Sequence, residues 1–194
     1  MPGLHLAVLE AGCAAGMPLA LGASLPWLNG RGHLNDVVQQ HAPAHLVTAL
    51  SEMHVRLGGD PNALAAKRAG NPPTPDLIHT ELGCLIEVDE VQHFSSARLL
   101  TLDLCPPGVP LGFDVREYRT MIDEWRDKGD RAFAHKVSVD FPQRGGRQAQ
   151  RAYNDALRDL LAPTFTGYPA IRIPVPGRSL VGVIDRLRET LLTW

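Results

Sequence analysis

The sequence predicts an α/β fold in which a central mixed sheet of four to five strands is flanked by helices. Segments with apolar residues at helical spacing alternate with short segments in which every second residue is apolar, and Gly and Pro residues separate them. A chain of 194 residues with 44% hydrophobic content is long enough for one buried core and short for two ordinary domains. We therefore expect a single core.

The first predicted elements are a helix and a hairpin. In residues 44–57 the apolar side chains share one face at helical spacing, and the two glycines that follow end the helix. Residues 59–75 contain several Gly and Pro residues and are predicted to form an exposed loop. Two β-prone segments follow, 76–81 and 84–91, and Leu82-Gly83 between them is predicted to form a tight turn.

The later elements alternate between helix and strand. Asp114 begins a helix with a capping box, because Glu117 lies three residues on, and this helix is expected to end near Gly129. The remaining predicted elements are a half-buried strand over 133–141, a helix over 145–161, a strand over 169–175 and a closing helix over 180–192. These segments predict a domain over residues 44–194. Residues 1–43 have weak periodicity and are expected to form an N-terminal arm or cap.

Charge and cysteine content exclude several classes of protein. The formal net charge of −2 excludes a uniformly basic protein, so any contact with nucleic acid would depend on a local basic patch. Three cysteines without a C-x-x-C pair argue against a disulfide framework and against a zinc knuckle. This usage is typical of a reducing compartment, and no apolar run approaches a membrane span. We therefore expect a cytoplasmic protein without a membrane partner.

Three carboxylates are predicted to meet on one face of the hairpin. A two-residue turn pairs Glu81 with Cys84 and places Asp76 opposite Asp89, and directly opposed residues share a face. Glu87 shares that face because side chains alternate along a strand. Like charges repel unless a cation neutralises them, which predicts Mg²⁺ or Mn²⁺ at this site. A three-residue loop would send Asp76 to the other face, and a solvated strand face is the alternative interpretation of the other two carboxylates.

The residues of this hairpin also resemble a known family. Pro75-Asp76 followed by Glu87-Val88-Asp89 is similar to the PD-(D/E)XK signature, in which an Asp and a Glu from adjacent strands bind the divalent metal that activates water against a phosphodiester. The string LIEVDEVQHF resembles, more particularly, the very-short-patch-repair endonuclease-like branch, and the segment GGRQAQRAYNDALRDL resembles the basic helix that follows the core strands in that superfamily.

The resemblance covers roughly residues 45–175 and implies a restriction-endonuclease-like core. It implies that Glu87 and Asp89 are metal ligands and that His93 is a general acid/base or a phosphate contact. Asp89 departs from the signature, which has Lys at this position, so the lysine that steadies the transition state must come from elsewhere. Lys136 is the first candidate because it lies on the polar face of the next predicted strand. If no lysine reaches the site, His93 takes this role or catalysis is lost.

Two further features complete the predicted site. One set of residues on the predicted helix 145–161 is expected to hold a nucleic-acid backbone: Arg147, Gln150, Arg151 and Arg158. Ordinary intrahelical pairing of these arginines with Asp155 and Asp159 is the alternative. Glu52 lies on the flank of the first helix, where proteins of the resembled superfamily often carry a secondary metal ligand.

The expected function is a Mg²⁺- or Mn²⁺-dependent endonuclease that hydrolyses phosphodiester bonds of DNA. Two other functions stay open. The missing lysine favours a catalytically inactive member of this fold that binds nucleic acid or a partner protein, and the modest net charge favours a hydrolase of small phosphoesters. No separate recognition domain is visible, so DNA specificity would need residues 1–43, a homodimer or a partner protein.

Overall fold

A computed structural model describes residues 3–68 and 73–193. In chain order its helices and strands are α1 (Leu4–Ala14), β1 (Leu19–Leu21), α2 (Asp36–His41), α3 (Ala44–Arg56), α4 (Pro61–Ala66), β2 (Leu77–His79), β3 (Leu85–Asp89), α5 (Ser96–Asp103), α6 (Val115–Arg131), α7 (Gly146–Thr166), β4 (Ile171–Pro174) and α8 (Val183–Leu192). Short 3-10 turns lie at Gly32–Leu34 and Val91–His93. No described helix is both long and apolar enough to cross a membrane.

The four strands form one mixed sheet in the order β1-β2-β3-β4. Strand β2 runs antiparallel to both β1 and β3, and β3 runs parallel to β4. The structure is therefore an α/β fold with a mixed four-stranded sheet flanked by helices, as predicted. Residues before position 44 supply an edge strand of this sheet, and Leu4, Val8 and Leu19 of this segment are buried in the core.

Helices cover both faces of the sheet, and every residue of β3 is therefore buried. Successive side chains of this strand point to opposite faces. Ile86 and Val88 face one way and belong to a cluster that includes residues of α1 and α8. Leu85 faces the other way and belongs to the cluster built by α3 and α7. Glu87 and Asp89 share the face of Leu85. Their carboxylates are consequently placed in the layer between the sheet and α7.

The four predicted helices are confirmed as α3, α6, α7 and α8. Asp114 caps α6, since Glu117 N donates a hydrogen bond to Asp114 Oδ1 at 2.8 Å. The predicted strand over 169–175 is also confirmed as β4. The predicted loop over 59–75 is wrong in part, because α4 lies inside it. Pro61 begins this helix and the side chain of Asp60 caps it.

The predicted strand over residues 133–141 is wrong. The segment pairs with no strand of the described sheet, and Phe133 adopts the left-handed backbone region with a φ of 63°. Its polar backbone groups are satisfied by helix ends instead: Asp60 N donates to Asp140 O at 2.9 Å and Arg147 N donates to Lys136 O at 3.1 Å. Alternation of apolar residues is typical of an extended segment. It does not show whether another strand is close enough to pair with that segment.

Candidate functional site

Asp76 directly precedes β2, where its Oδ2 accepts a hydrogen bond from Val88 N of β3 at 2.8 Å, and Glu87 lies in β3. The register pairs Leu77 with Ile86 and Ile78 with Leu85, so its continuation pairs Asp76 with Glu87. The predicted pairing of Asp76 with Asp89 is wrong by two residues, because a four-residue loop over 80–83 replaces the predicted two-residue turn. A shift by an even number of residues keeps a side chain on its face. The two carboxylates consequently still share the face that looks toward α7.

These two carboxylates line a polar cleft between the hairpin and α7, which we call the α7 cleft. Its described walls are Pro73, Asp76, Glu87, His93, Arg147, Arg151, Asn154, Asp155 and Arg158. The arginines of α7 recur at intervals of four and seven residues, which aligns them on one helical face. Arg147 is exposed, Arg151 is half-buried and Arg158 is buried, so the stripe leads from solvent to the base of the cleft.

Glu87 is the buried carboxyl at the base of the cleft. Burial raises its pKa to about 8, with the negative charge of Asp76 adding to the effect and Arg158 opposing it. Arg158 Nε lies 3.0 Å from Glu87 Oε1, yet the angles fail those of a hydrogen bond, and among the described residues neither atom has a hydrogen-bond partner. Arg158 instead donates to Thr74 O at 3.1 Å. Burial therefore favours the protonated form of Glu87, and the guanidinium of Arg158 favours the ionised form.

His93 is fixed by a carboxylate on one side and an arginine on the other. Its Nδ1 lies 2.9 Å from Asp155 Oδ2, and its Nε2 lies 3.1 Å from Arg151 Nη1. Since the guanidinium can only donate, Nε2 accepts, and the ring proton then resides on Nδ1 and is donated to Asp155. Burial would raise the pKa of Asp155, but the hydrogen bond from His93 and the charge of Arg172 outweigh it and hold that pKa well below its ordinary value.

Asp89 does not line the α7 cleft. It is fully buried and accepts hydrogen bonds from Arg172 Nη1 at 2.9 Å and from the hydroxyl of Tyr118 at 2.7 Å. Arg172 also donates to Asp159 at 2.8 Å. The position that the resembled signature gives to a lysine is thus taken by a carboxylate whose charge is compensated inside the core.

Three other predicted residues lie away from the cleft walls. Glu52 is exposed on α3, and its nearest cation is Arg56, whose guanidinium lies 3.8 Å away. Lys136 is exposed in the turn before α7, with its ammonium 4.9 Å from the centre of the Phe133 ring. Gln150 lies on α7 and donates to Asp140 Oδ1 at 3.0 Å. The cleft of the described structure therefore combines Asp76, Glu87, His93 and the three arginines. The predicted residues that do not line its walls are Asp89, Glu52, Lys136 and Gln150.

The donor set of the cleft fits a cation that takes few protein ligands. Within residues 3–68 and 73–193, no three His, Cys, Asp or Glu side chains are arranged to hold a metal. Asp76 and Glu87 nonetheless provide two facing carboxylates, and Oε1 of Glu87 has no hydrogen-bond donor among the described residues. Mg²⁺ is commonly held by one or two carboxylates, with waters and substrate phosphates completing its coordination. The cleft therefore offers two carboxylates of the kind that such a cation takes.

Sequence reasoning missed Asp155 and Arg172. Asp155 lies four residues after Arg151 and three before Arg158, a spacing that indicated their common helical face but was attributed to pairing within the helix. The Asp155 to Arg158 contact does exist, at 3.6 Å, and the decisive partner is His93 on another element. Arg172 stands alone in the apolar strand IRIP, and a charged residue there signals a buried partner.

Comparison of the chain with protein-family models, with curated proteins and with solved structures finds no match in any of the three.

Proposed function

We propose that this chain is an endonuclease that hydrolyses phosphodiester bonds of DNA in the α7 cleft, with Mg²⁺ or Mn²⁺ held by Asp76 and Glu87. One observation carries the proposal: two facing carboxylates, three arginines on one helical face and a His93 fixed by Asp155 line the same cleft. Oxygen ligands suit a hard cation and guanidinium groups suit a phosphodiester anion, so both parts of one substrate complex find partners there.

The cleft also contains polar atoms that lack hydrogen-bond partners among the described residues. They are Glu87 Oε1, Asp155 Oδ1, Arg151 Nε and Arg158 Nε. Buried polar atoms without partners destabilise a fold, and they are retained where a ligand supplies the partner. Two of these atoms are carboxylate oxygens and two are guanidinium donors. Three of them nevertheless have an ionic contact, since Glu87 Oε1 lies 3.0 Å from Arg158 Nε and Asp155 Oδ1 lies 3.4 Å from Arg172 Nη2. Of the four atoms, Arg151 Nε is therefore the one that favours an added ligand, such as a phosphate oxygen.

Each side chain then has a separate task in the proposed reaction. A cation between Asp76 and Glu87 would lower the pKa of a bound water and neutralise charge on the phosphate. Arg147 and Arg151, the exposed and half-buried members of the stripe, bind the DNA phosphates through paired N–H donors. Arg158 stays at the base of the cleft beside Glu87.

His93 can act as a general base only when Arg151 leaves it. In the structure Arg151 donates to His93 Nε2, the nitrogen that would take a proton from water. An incoming phosphate competes for the same guanidinium with a full negative charge, so substrate binding frees Nε2. Asp155 holds the other ring nitrogen throughout and stabilises the proton that His93 acquires. The base is thus uncovered in the substrate complex.

The fold that we propose in detail is restriction-endonuclease-like. Support comes from the mixed sheet, from the adjacent strands that carry Asp76 and Glu87, and from the basic helix α7 that packs over them. This is the arrangement that the resemblance of Pro75-Asp76 and Glu87-Val88-Asp89 implies.

A second candidate function is a catalytically inactive member of the same fold that binds nucleic acid. It is favoured by the absence of a lysine among the described cleft walls and by Arg158, which lies against Glu87 where a cation would approach. The two functions differ in their dependence on metal. An inactive module binds DNA in EDTA and cleaves nothing.

The discriminating experiment is incubation of the purified protein with supercoiled, linear and single-stranded DNA in Mg²⁺ or Mn²⁺. The wild type is compared with Glu87→Gln and Asp76→Asn, and with Glu52→Gln as a matched exposed control. Cleavage that both cleft variants lose and the control keeps supports the nuclease. Absence of cleavage on every substrate, with DNA binding retained in EDTA, would favour the inactive module and overturn the proposal.

A further inference from the structure

Positively charged side chains cluster along the segment that joins α6 to α7 and along the helix ends that flank it. We call residues 132–145 the basic loop. Residues 131–151, which include the loop and its helical flanks, contain five Lys and Arg residues and one Asp, although the whole chain has a net charge of −2. That one acidic residue, Asp140, is itself paired with Lys67 at 2.7 Å. The charge of this region is therefore strongly positive in a chain that is negative elsewhere.

These cations lack carboxylate partners within the described structure. The five are Arg131, Lys136, Arg144, Arg147 and Arg151, and none of them lies within 4.0 Å of a described carboxylate oxygen. Arg144 bonds to His135 and Arg147 bonds to Gln150, which are neutral or weakly basic groups. Cations left unpaired along one surface form the electrostatic footprint of a polyanion.

The basic loop is physically connected to the α7 cleft through Phe133. The Lys136 ammonium lies 4.9 Å from the centre of the Phe133 ring, and the Arg151 guanidinium lies 5.5 Å from it. Arg151 is also a wall of the cleft and bonds to His93. Phe133 has a backbone φ of 63°, which a bulky residue adopts only under strain. One aromatic ring thus holds a loop cation and a cleft cation side by side.

The loop also presents apolar side chains to solvent. Val137 is 58% exposed and Val139 is 75% exposed. They project from the same turn as Lys136. Apolar groups beside a lysine that has no described carboxylate partner match the chemistry of a DNA strand, which offers phosphates beside the apolar faces of sugars and bases.

We infer that the basic loop is the surface on which a DNA strand lies as it enters the α7 cleft, with Lys136, Arg144 and Arg147 on its phosphates and the two valines against its sugars and bases. The inference rests on the proposed function and extends it. It makes the substrate a polymer of nucleotides, because a small phosphoester would leave the loop without a partner. It also assigns Lys136 to strand binding outside the reacting centre.

The test measures how DNA binding depends on salt. Binding of a fluorescent 20-nucleotide single strand is followed by anisotropy in EDTA, so that no hydrolysis occurs. Lys136→Gln/Arg144→Gln is compared with Arg116→Gln/Arg186→Gln, which removes two exposed arginines on α6 and α8 and leaves the net charge matched. Each lost phosphate contact lowers the slope of log affinity against log salt by about 0.7 for single strands. The loop variant is expected to lose about 1.4 of this slope, and the control variant none.

The valines provide a second readout. Val137→Ser/Val139→Ser is expected to weaken binding several-fold at every salt concentration without changing the slope, because apolar contacts release no counterions. An unchanged slope in the loop variant, or an equal loss in the control, overturns the inference. A wild-type dimer that the valine variant converts to monomer in light scattering, with DNA binding unaltered, also overturns it by making the loop a contact between copies.

Failure of this inference is distinguishable from failure of the proposed function. If the loop variant loses slope but the wild type cleaves no DNA in Mg²⁺ or Mn²⁺, the strand surface stands and the nuclease does not. If the wild type cleaves DNA and the loop variant keeps its slope, the nuclease stands and the strand surface does not.

Discussion

Replacement of Glu87 with Gln is expected to stabilise the fold by an amount that grows with pH. Burial raises the pKa of Glu87 from 4.5 to about 8. Between these two values the unfolded chain loses the proton and the folded chain keeps it, so ionisation stabilises the unfolded state. A group whose pKa is raised on folding contributes stability at acid pH that is lost as pH rises. Gln has the same shape as the protonated acid and does not ionise.

The magnitude follows from the size of the shift. Each pH unit between the two pKa values changes the free energy of unfolding by about 1.4 kcal/mol. At pH 7 the wild type has lost about 3 kcal/mol relative to its stability below pH 4.5. Glu87→Gln avoids that loss. We therefore expect its advantage over the wild type to increase by about 2 to 3 kcal/mol between pH 5 and pH 7.

Urea unfolding at pH 5, 6 and 7 measures this difference, with Glu52→Gln as the control. Glu52 is exposed and its contact with Arg56 is long, at 3.8 Å, so the control is expected to stay within about 0.5 kcal/mol of the wild type. A Glu87→Gln variant destabilised by about 3 kcal/mol or more at pH 7 would refute the reasoning. That result would mean that Glu87 is ionised and that its removal leaves Arg158 as an uncompensated buried charge.

Two further predictions concern the buried side chains of Asp89 and His33. Asp89→Asn is expected to lower the free energy of unfolding, measured in urea, by about 3 kcal/mol or more, because it removes a buried carboxylate from Arg172. Asp76 is half-buried, so Asp76→Asn is expected to retain most of the stability. Equal small losses in the two variants would contradict the assignment of Asp89 to the core. Burial, with a contribution from His54, lowers the pKa of His33 from 6.5 to about 4, so the stability that His33 contributes above pH 6.5 is lost as pH falls toward 4, by up to about 3 kcal/mol. His33→Gln should therefore flatten the loss of stability measured between pH 7 and pH 4.5, and an equally steep loss in this variant would contradict the assignment.

The facing carboxylates were predictable because they depend on a period of two. Any hairpin loop with an even number of residues keeps Asp76 and Glu87 on one face, so the error of two residues in register did not separate them. The turn itself was not predictable from Leu82-Gly83. Gly83 adopts a φ of 72° as expected for a turn glycine, but Thr80 and Glu81 join the loop, and His79 N pairs with Cys84 O.

Asp89 Oδ1 and His93 Nδ1 lie 3.3 Å apart at a spacing of four residues, but the other partners of these two residues come from distant parts of the chain and were not predictable. Arg172 lies 83 positions from Asp89, and Asp155 lies 62 positions from His93. Local spacing gives no information about such pairs. A charged residue within an apolar strand indicates that a partner exists without naming it. The alternation over 133–141 failed for a related reason, since pairing with a sheet depends on a neighbouring edge.

The central claim is that Asp76 and Glu87 hold the cation of a nuclease cleft. Iron-directed cleavage of the protein tests the location of this cation. Fe²⁺ replaces Mg²⁺ in the complex with DNA, and ascorbate and peroxide are then added. Mass spectrometry maps the positions at which the protein backbone is cut. Backbone cuts are expected near residues 76 and 87, and we expect excess Mg²⁺ to suppress them and Glu87→Gln to abolish them. Cuts confined to other regions, or an identical pattern in Glu87→Gln, would contradict it.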